Sequence, residues 1–171
     1  EKCEPKSCNI VTSCEGKGKT FIMFSDDLDK ALATFVLANG AAATGQKVTI
    51  FFTFWGLNVI KKLHKPNVEK DIFGKMFGMM LPSSSRKLKL SKMSMGGIGG
   101  KMMRYIMNRK GIDSLESLRQ QALENGVEFI ACQMSMDVMG VKQEELLDEV
   151  TIGGVATYME RADNANINLF I

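Results

Sequence analysis

The chain has 171 residues, 45% of them hydrophobic, which suits one globular domain burying roughly two-thirds of its unfolded surface and leaves little room for a second. Twenty-two basic against nineteen acidic side chains give a net charge of +3, too small by itself to indicate a nucleic-acid partner. No apolar run is long enough to span a bilayer, and the polar first twenty residues hold no apolar core of a secretory leader, so a soluble protein is expected.

Residues 1–19 lack sustained periodicity and read as a tail or linker, with one α/β domain over residues 20–171. Thr20 to Ser25 predicts a buried strand. Asp26-Asp27 then caps a helix whose Leu28, Ala31, Leu32, Phe35 and Val36 recur at helical spacing, with Gly45 as its stop. Lys47 to Phe54 is nearly all apolar or β-branched, the pattern of a strand in a sheet covered on both faces. Strand, helix, strand at this spacing is a βαβ unit.

An insertion of different character occupies about residues 61–110. Eight of the thirteen methionines fall here, alternating with basic residues and with the run Gly96-Gly97-Ile98-Gly99-Gly100. No acidic residue lies between Asp71 and Asp113, while Lys75, Arg86, Lys87, Lys89, Lys92, Lys101, Arg104, Arg109 and Lys110 all do. Helices are predicted around 69–80 and 100–109, joined by a Ser/Lys-rich loop. Met-rich basic helices serve as core plus solvated face, as a docking surface, or, for the amphiphilic stretch Ile72 to Leu81, as an interfacial membrane segment, the least favoured of the three.

Beyond residue 112 the strand-helix grammar returns. Ser114 caps a helix carrying Leu115, Leu118, Ala122 and Leu123, Gly126 ends it, and Val127 to Ala131 forms a strand that delivers Cys132 at its carboxyl end. Residues 142–149 predict a short amphipathic helix, and Val150 to Ile152 a strand. A helix from about Gly154 presents Val155, Met159 and Ala162 on one side, and Ile167 to Ile171 closes as a strand. The expected architecture is a three-layer α/β/α domain with a mainly parallel five-stranded sheet.

In such sheets the carboxyl edge collects ligands and chemistry, which singles out Cys132. A cysteine there is either a small buried hydrophobe or, beside a helix amino end or cations, a nucleophile. Ser135 or Asp137 can cap a helical turn after it. Asp26, Trp55 and Gly56, which end the first two strands, and Met134 and Ser135, which follow the cysteine, are further candidate pocket residues. Cys3, Cys8 and Cys14 crowd the tail at C-x4-C and C-x5-C spacing with no fourth ligand, so neither a zinc site nor a disulfide framework is expected, and a reducing cytoplasmic compartment fits better. His64 is the single histidine, which gives a Ser-His-Asp site little support. Gly18-Lys19-Thr20 ends like a phosphate loop, but Ser13 stands where its first glycine belongs and the segment precedes a strand; Gly96 to Lys101 lacks the closing Ser or Thr. Nucleotide hydrolysis is therefore not expected, and no cofactor is implied.

The stretch Ala131-Cys132-Gln133-Met134-Ser135-Met136-Asp137-Val138-Met139-Gly140, with Gly153-Gly154-Val155-Ala156 and Met95-Gly96-Gly97 to Met102-Met103-Arg104, resembles the DsrE/DsrF-like sulfur-relay family, in the branch found beside rhodanese and TusA-like carriers. The resemblance spans Thr20 to Ile171. It implies a flavodoxin-like domain that assembles as a homo-oligomer, whose strand-end cysteine, Cys132 here, accepts sulfane sulfur as a persulfide and hands it to a partner. Rhodanese-like or TusA-like proteins would be donors and acceptors. The competing reading is a non-catalytic protein- or membrane-docking module that uses the Met-rich basic insertion, with Cys132 only packing. A peroxide-reducing thiol enzyme is a third reading and would need a resolving cysteine such as Cys14.

Overall fold

The computed structural model describes residues 18–63, 81–82, 84–92 and 98–171. The cysteine-bearing tail, His64, the helix expected at 69–80 and Met95-Gly96-Gly97 lie outside the described residues.

Five strands, β1 (Gly18–Met23), β2 (Val48–Phe52), β3 (Glu128–Cys132), β4 (Thr151–Gly153) and β5 (Ala165–Phe170), form one sheet in the order β4-β3-β2-β1-β5. Every pairing is parallel. The chain steps outward from β1 to β4, then crosses back to set β5 on the far side of β1. Because such crossovers are right-handed, the reversal moves the connecting helix to the other face. Helices α1 (Leu28–Ala43) and α3 (Leu115–Glu124) pack together over one face, and α5 (Val155–Asp163) covers the other, which completes a three-layer α/β flavodoxin-like domain.

Local signals set most boundaries. Gly45 and Gly126 take φ of +76° and +78° just past α1 and α3, a conformation glycine adopts without a side-chain penalty. The Ser114 hydroxyl accepts from the Ser117 N–H at 3.1 Å, capping α3. β1 begins at Gly18, two residues ahead of the expected Thr20. Residues 142–149 hold only a 3-10 turn, Gln143–Glu145, instead of the expected helix. Leu146 is buried there and Lys61 bridges to it, which pins the segment in extended form.

The main core lies between the sheet and α1/α3, around Phe35, Phe52 and Phe129, whose rings pack 5.4–6.5 Å apart. In the insertion, α2 (Ile98–Arg109) agrees with the helix expected there. Arg104 joins it to α3 through Glu116 at 3.2 Å and to the preceding segment through the Ser85 carbonyl at 3.0 Å. The Lys89 carbonyl accepts from the Leu28 N–H at 2.7 Å, so this part of the insertion rests on the amino ends of α1 and α3.

Candidate functional site around Cys132

β3 is sealed between β2 and β4, which suits its Phe129-Ile130-Ala131 content. Side chains alternate across it. Ala131 shares its row with Phe52 and faces α1 and α3, whereas Ile130 and Cys132 face α5. Cys132 joins a second, smaller buried cluster with Phe51, Ile130 and Tyr158, and is only 2% exposed. Of these, Tyr158 alone comes from a helix. Its ring lies 5.2 Å from Phe51 and its hydroxyl shares a 3.2 Å hydrogen bond with Thr20. Val155 and Met159, expected to lie together on one side of α5, are both exposed, and Tyr158 is the helix's buried residue. The sheet itself thus separates the thiol from the main core.

Cys132 is also the N-cap of the short helix α4 (Gln133–Met139), so the helix starts ahead of the Ser135 and Asp137 caps that were expected. Across the ladder its Cα partner is Gly153, and Gly154 is the N-cap of α5. A Cβ on Gly153 would lie 2.8 Å from Ile130 Cγ2 and 3.3 Å from Thr157 Cβ. Glycine here lets the first turn of α5 close onto β3 beside the cysteine. The amino ends of two helices therefore flank the residue, and helix amino ends favour negative charge.

The other candidates divide. Ser135 is fully buried, and its hydroxyl shares a 2.8 Å hydrogen bond with Thr53, which ties the end of β2 to α4. Met134 points outward and is exposed. Trp55 is 46% exposed and belongs to an aromatic cluster, 5.8 Å from Phe54 and 5.6 Å from Phe24, with Phe170 beside Phe24 at 5.7 Å. Gly56 is a packing glycine: its N–H donates to the Phe24 carbonyl at 2.8 Å, and a Cβ would fall 2.0 Å from the Met23 oxygen. Asp26 follows β1, two strands from β3, and accepts from Asn58 Nδ2 at 2.9 Å. Burial pushes its carboxyl above the ordinary value of 3.8, against the opposing pull of that hydrogen bond. Asn58 escaped the sequence reading because nothing local marks a buried amide; it lies in the 3-10 helix Phe54–Ile60 and is fully buried.

The carboxyl edge thus gathers Cys132, Ser135 and Thr53 on one side and Asp26 with Asn58 on the other. A cleft of about 900 Å³ lies at the opposite, amino edge, lined by Lys19, Lys47, Glu128 and Arg161. Among the described residues no group of three or more His, Cys, Asp and Glu side chains could hold a metal ion. Likewise, no described helix is long and apolar enough to cross a membrane.

Comparison with known proteins adds to this geometry. The sequence profile of the DsrE/DsrF/DrsH-like family matches residues 16–170. The chain is 44% identical over 155 residues to the YrkE protein of Bacillus subtilis (strain 168), covering 91% of this chain and 97% of that protein. It is 38% identical over 161 residues to the sulfur carrier protein DsrE2 of Allochromatium vinosum, covering 92% of this chain and 99% of the relative. The crystal structure of the ychN protein from E. coli superposes with a TM-score of 0.53 at 11% identity, covering 90% of this chain and 99% of the other, a likeness of fold. A profile match over nearly the whole chain, joined by a relative at 44% identity, places this protein in the DsrE/DsrF/DrsH-like family.

Proposed function

We propose that this protein works in a sulfur relay, accepting sulfane sulfur as a persulfide on Cys132 and passing it to a partner protein. The observation that carries the reading is the place of Cys132: the carboxyl end of an inner strand, the N-cap of α4, and the ladder position opposite Gly153 at the foot of α5. Family membership and the name of the Allochromatium vinosum relative, a sulfur carrier, support the same role.

The chemistry asks little of the remaining residues. The Cys132 thiolate attacks the outer sulfur of a donor persulfide, the donor's S–S bond breaks, and the donor thiolate leaves as the new S–S bond forms on Cys132. No electrons are gained or lost overall, so no redox cofactor enters the balance. Running the step again with Cys132 as donor delivers the sulfur to an acceptor thiolate. Both half-steps run through an anionic sulfur. Rhodanese-like or TusA-like carriers are the partner class, in a cytoplasmic compartment. The exposed Val155, Met159 and Phe170 offer apolar surface for assembly of a homo-oligomer.

Incubating the protein with a persulfide donor and weighing it intact tests the reading. An addition of about 32 Da, one sulfur atom, is expected on the wild type and not on Cys132→Ala. An addition that persists in Cys132→Ala, or never forms on the wild type, would sink it.

A further inference from the structure

Helix α2 is apolar on two adjoining sides. Its inner side is settled: Gly99, Gly100 and Met107 are buried, Met103 packs on the main core, and a Cβ at Gly100 would meet the Leu88 carbonyl at 3.2 Å. Its outer side carries Ile98, Met102, Tyr105 and Ile106, spaced at i, i+4, i+7 and i+8, so they form one stripe. All four are exposed, Ile98 and Tyr105 at 65% each. A helix on an ordinary water-facing surface carries polar side chains at these positions.

The charges around the stripe say what covers it. Lys101, Arg109 and Lys110 flank it, and Arg86, Lys87, Lys89 and Lys92 are exposed on the neighbouring segment, with no acidic residue anywhere from 72 to 112. A second copy of this chain would bring those cations against their own kind. The occupant must be anionic. Five of the seven cations are lysines, the residue type depleted from protein interfaces, where arginine is preferred. Long lysine stems beside an apolar stripe, with a tyrosine in it, suit the boundary between lipid tails and headgroups. Since no described helix can cross a membrane, α2 would lie in the surface plane.

We propose that α2 is an interfacial helix that seats the protein on an anionic lipid bilayer, with Ile98, Met102, Tyr105 and Ile106 entering the headgroup boundary and the surrounding lysines meeting lipid phosphates. This holds whether or not Cys132 carries sulfur. Co-sedimentation of the intact chain with vesicles tests it, comparing phosphatidylcholine alone with phosphatidylcholine containing about one-third phosphatidylglycerol. Binding to the anionic vesicles should be at least about tenfold tighter, and should weaken in 1 M salt, where screening shortens to about 3 Å. The triple variant Ile98→Ser, Met102→Ser, Tyr105→Ser changes only exposed side chains. It should keep the wild-type circular dichroism spectrum and melting temperature yet lose about tenfold or more of the vesicle affinity. No sedimentation with anionic vesicles, or equal binding by the triple variant, would overturn the proposal. So would equally tight binding to soluble polyglutamate that the triple variant retains, which would give this face to an acidic protein.

Discussion

Replacing Gly56 by alanine isolates the contact that fastens the 3-10 helix after β2 to the end of β1. A Cβ there would stand 2.0 Å from the Met23 carbonyl oxygen and 2.7 Å from its carbon, where real contacts essentially never fall below 3.0 Å. The obstacle is backbone, so no rotamer change relieves it. The segment would have to retreat by at least about 1 Å, and that movement stretches the Gly56 N–H bonds to the carbonyls of Phe24 and Thr53, now 2.8 and 3.0 Å. Overpacking of this kind costs about 1–3 kcal/mol and a lost hydrogen bond about 1 kcal/mol, so Gly56→Ala should destabilise by about 2–4 kcal/mol. For a chain of this size the melting temperature should fall by about 5–15 °C. Calorimetry or the fluorescence of Trp55, the single tryptophan and the neighbour of Gly56, reads the transition. Gly154→Ala is the control, because a Cβ there meets nothing within 4 Å, and its stability should fall by no more than about 1 kcal/mol, the cost of alanine at an N-cap. A Gly56→Ala variant that melts within about 2 °C of the wild type would refute the packing argument.

Three further outcomes follow from paired polar groups. Arg161 donates to Glu128 through Nε at 2.9 Å and Nη2 at 3.2 Å, and this pairing holds the Glu128 carboxyl below its ordinary value of 4.5. Its contribution is therefore complete above pH 4.5 and fades as pH falls through the lower folded value, so melting temperature below pH 4.5 should decline less steeply in Glu128→Gln; identical slopes would contradict the pairing. Asp26 has the opposite sign: burial raises its carboxyl, the stability it contributes is present below pH 3.8, and that stability is lost as pH rises through the folded value. Asp26→Asn should accordingly melt higher than wild type at pH 7, and a lower melting temperature there would show that the charged form is favoured after all. Ser135→Ala leaves the buried Thr53 hydroxyl without its 2.8 Å partner and should cost about 1–3 kcal/mol, whereas adding Thr53→Val should recover part of that loss in chemical denaturation. No recovery in the double variant would mean the two hydroxyls act separately.

Which parts of this fold were legible in the chain depends on the range of the interaction that sets them. Asp27 and Gly45 around α1, and Ser114 and Gly126 around α3, act within a few residues of themselves, and the elements end where those signals stand. The strand leading to Cys132 was readable for the same reason. Sidedness was not. Whether Cys132 faces α1/α3 or α5 depends on sheet register and on the reversal of direction after β4, neither of which any local segment encodes. The same non-local choice buries Tyr158 and exposes Val155 and Met159, which periodicity grouped with the partly buried Ala162. The turn at Gln143–Glu145 escaped because buried Leu146 pairs with Lys61, far away in the chain, and overrides a local pattern that suits a helix. Phe54 at φ +47° also carries no local mark.

Sulfur carried on Cys132 is located by mass after loading the protein with an isotopically labelled persulfide donor. Tryptic cleavage after Arg119 and Lys142 releases a peptide, residues 120–142, in which Cys132 is the one cysteine. The labelled sulfur should appear on that peptide at Cys132, and should be lost with matching appearance on an acceptor thiol when a carrier protein is added. Label found only on other peptides, or label on Cys132 that no acceptor removes, would contradict a relay through this residue.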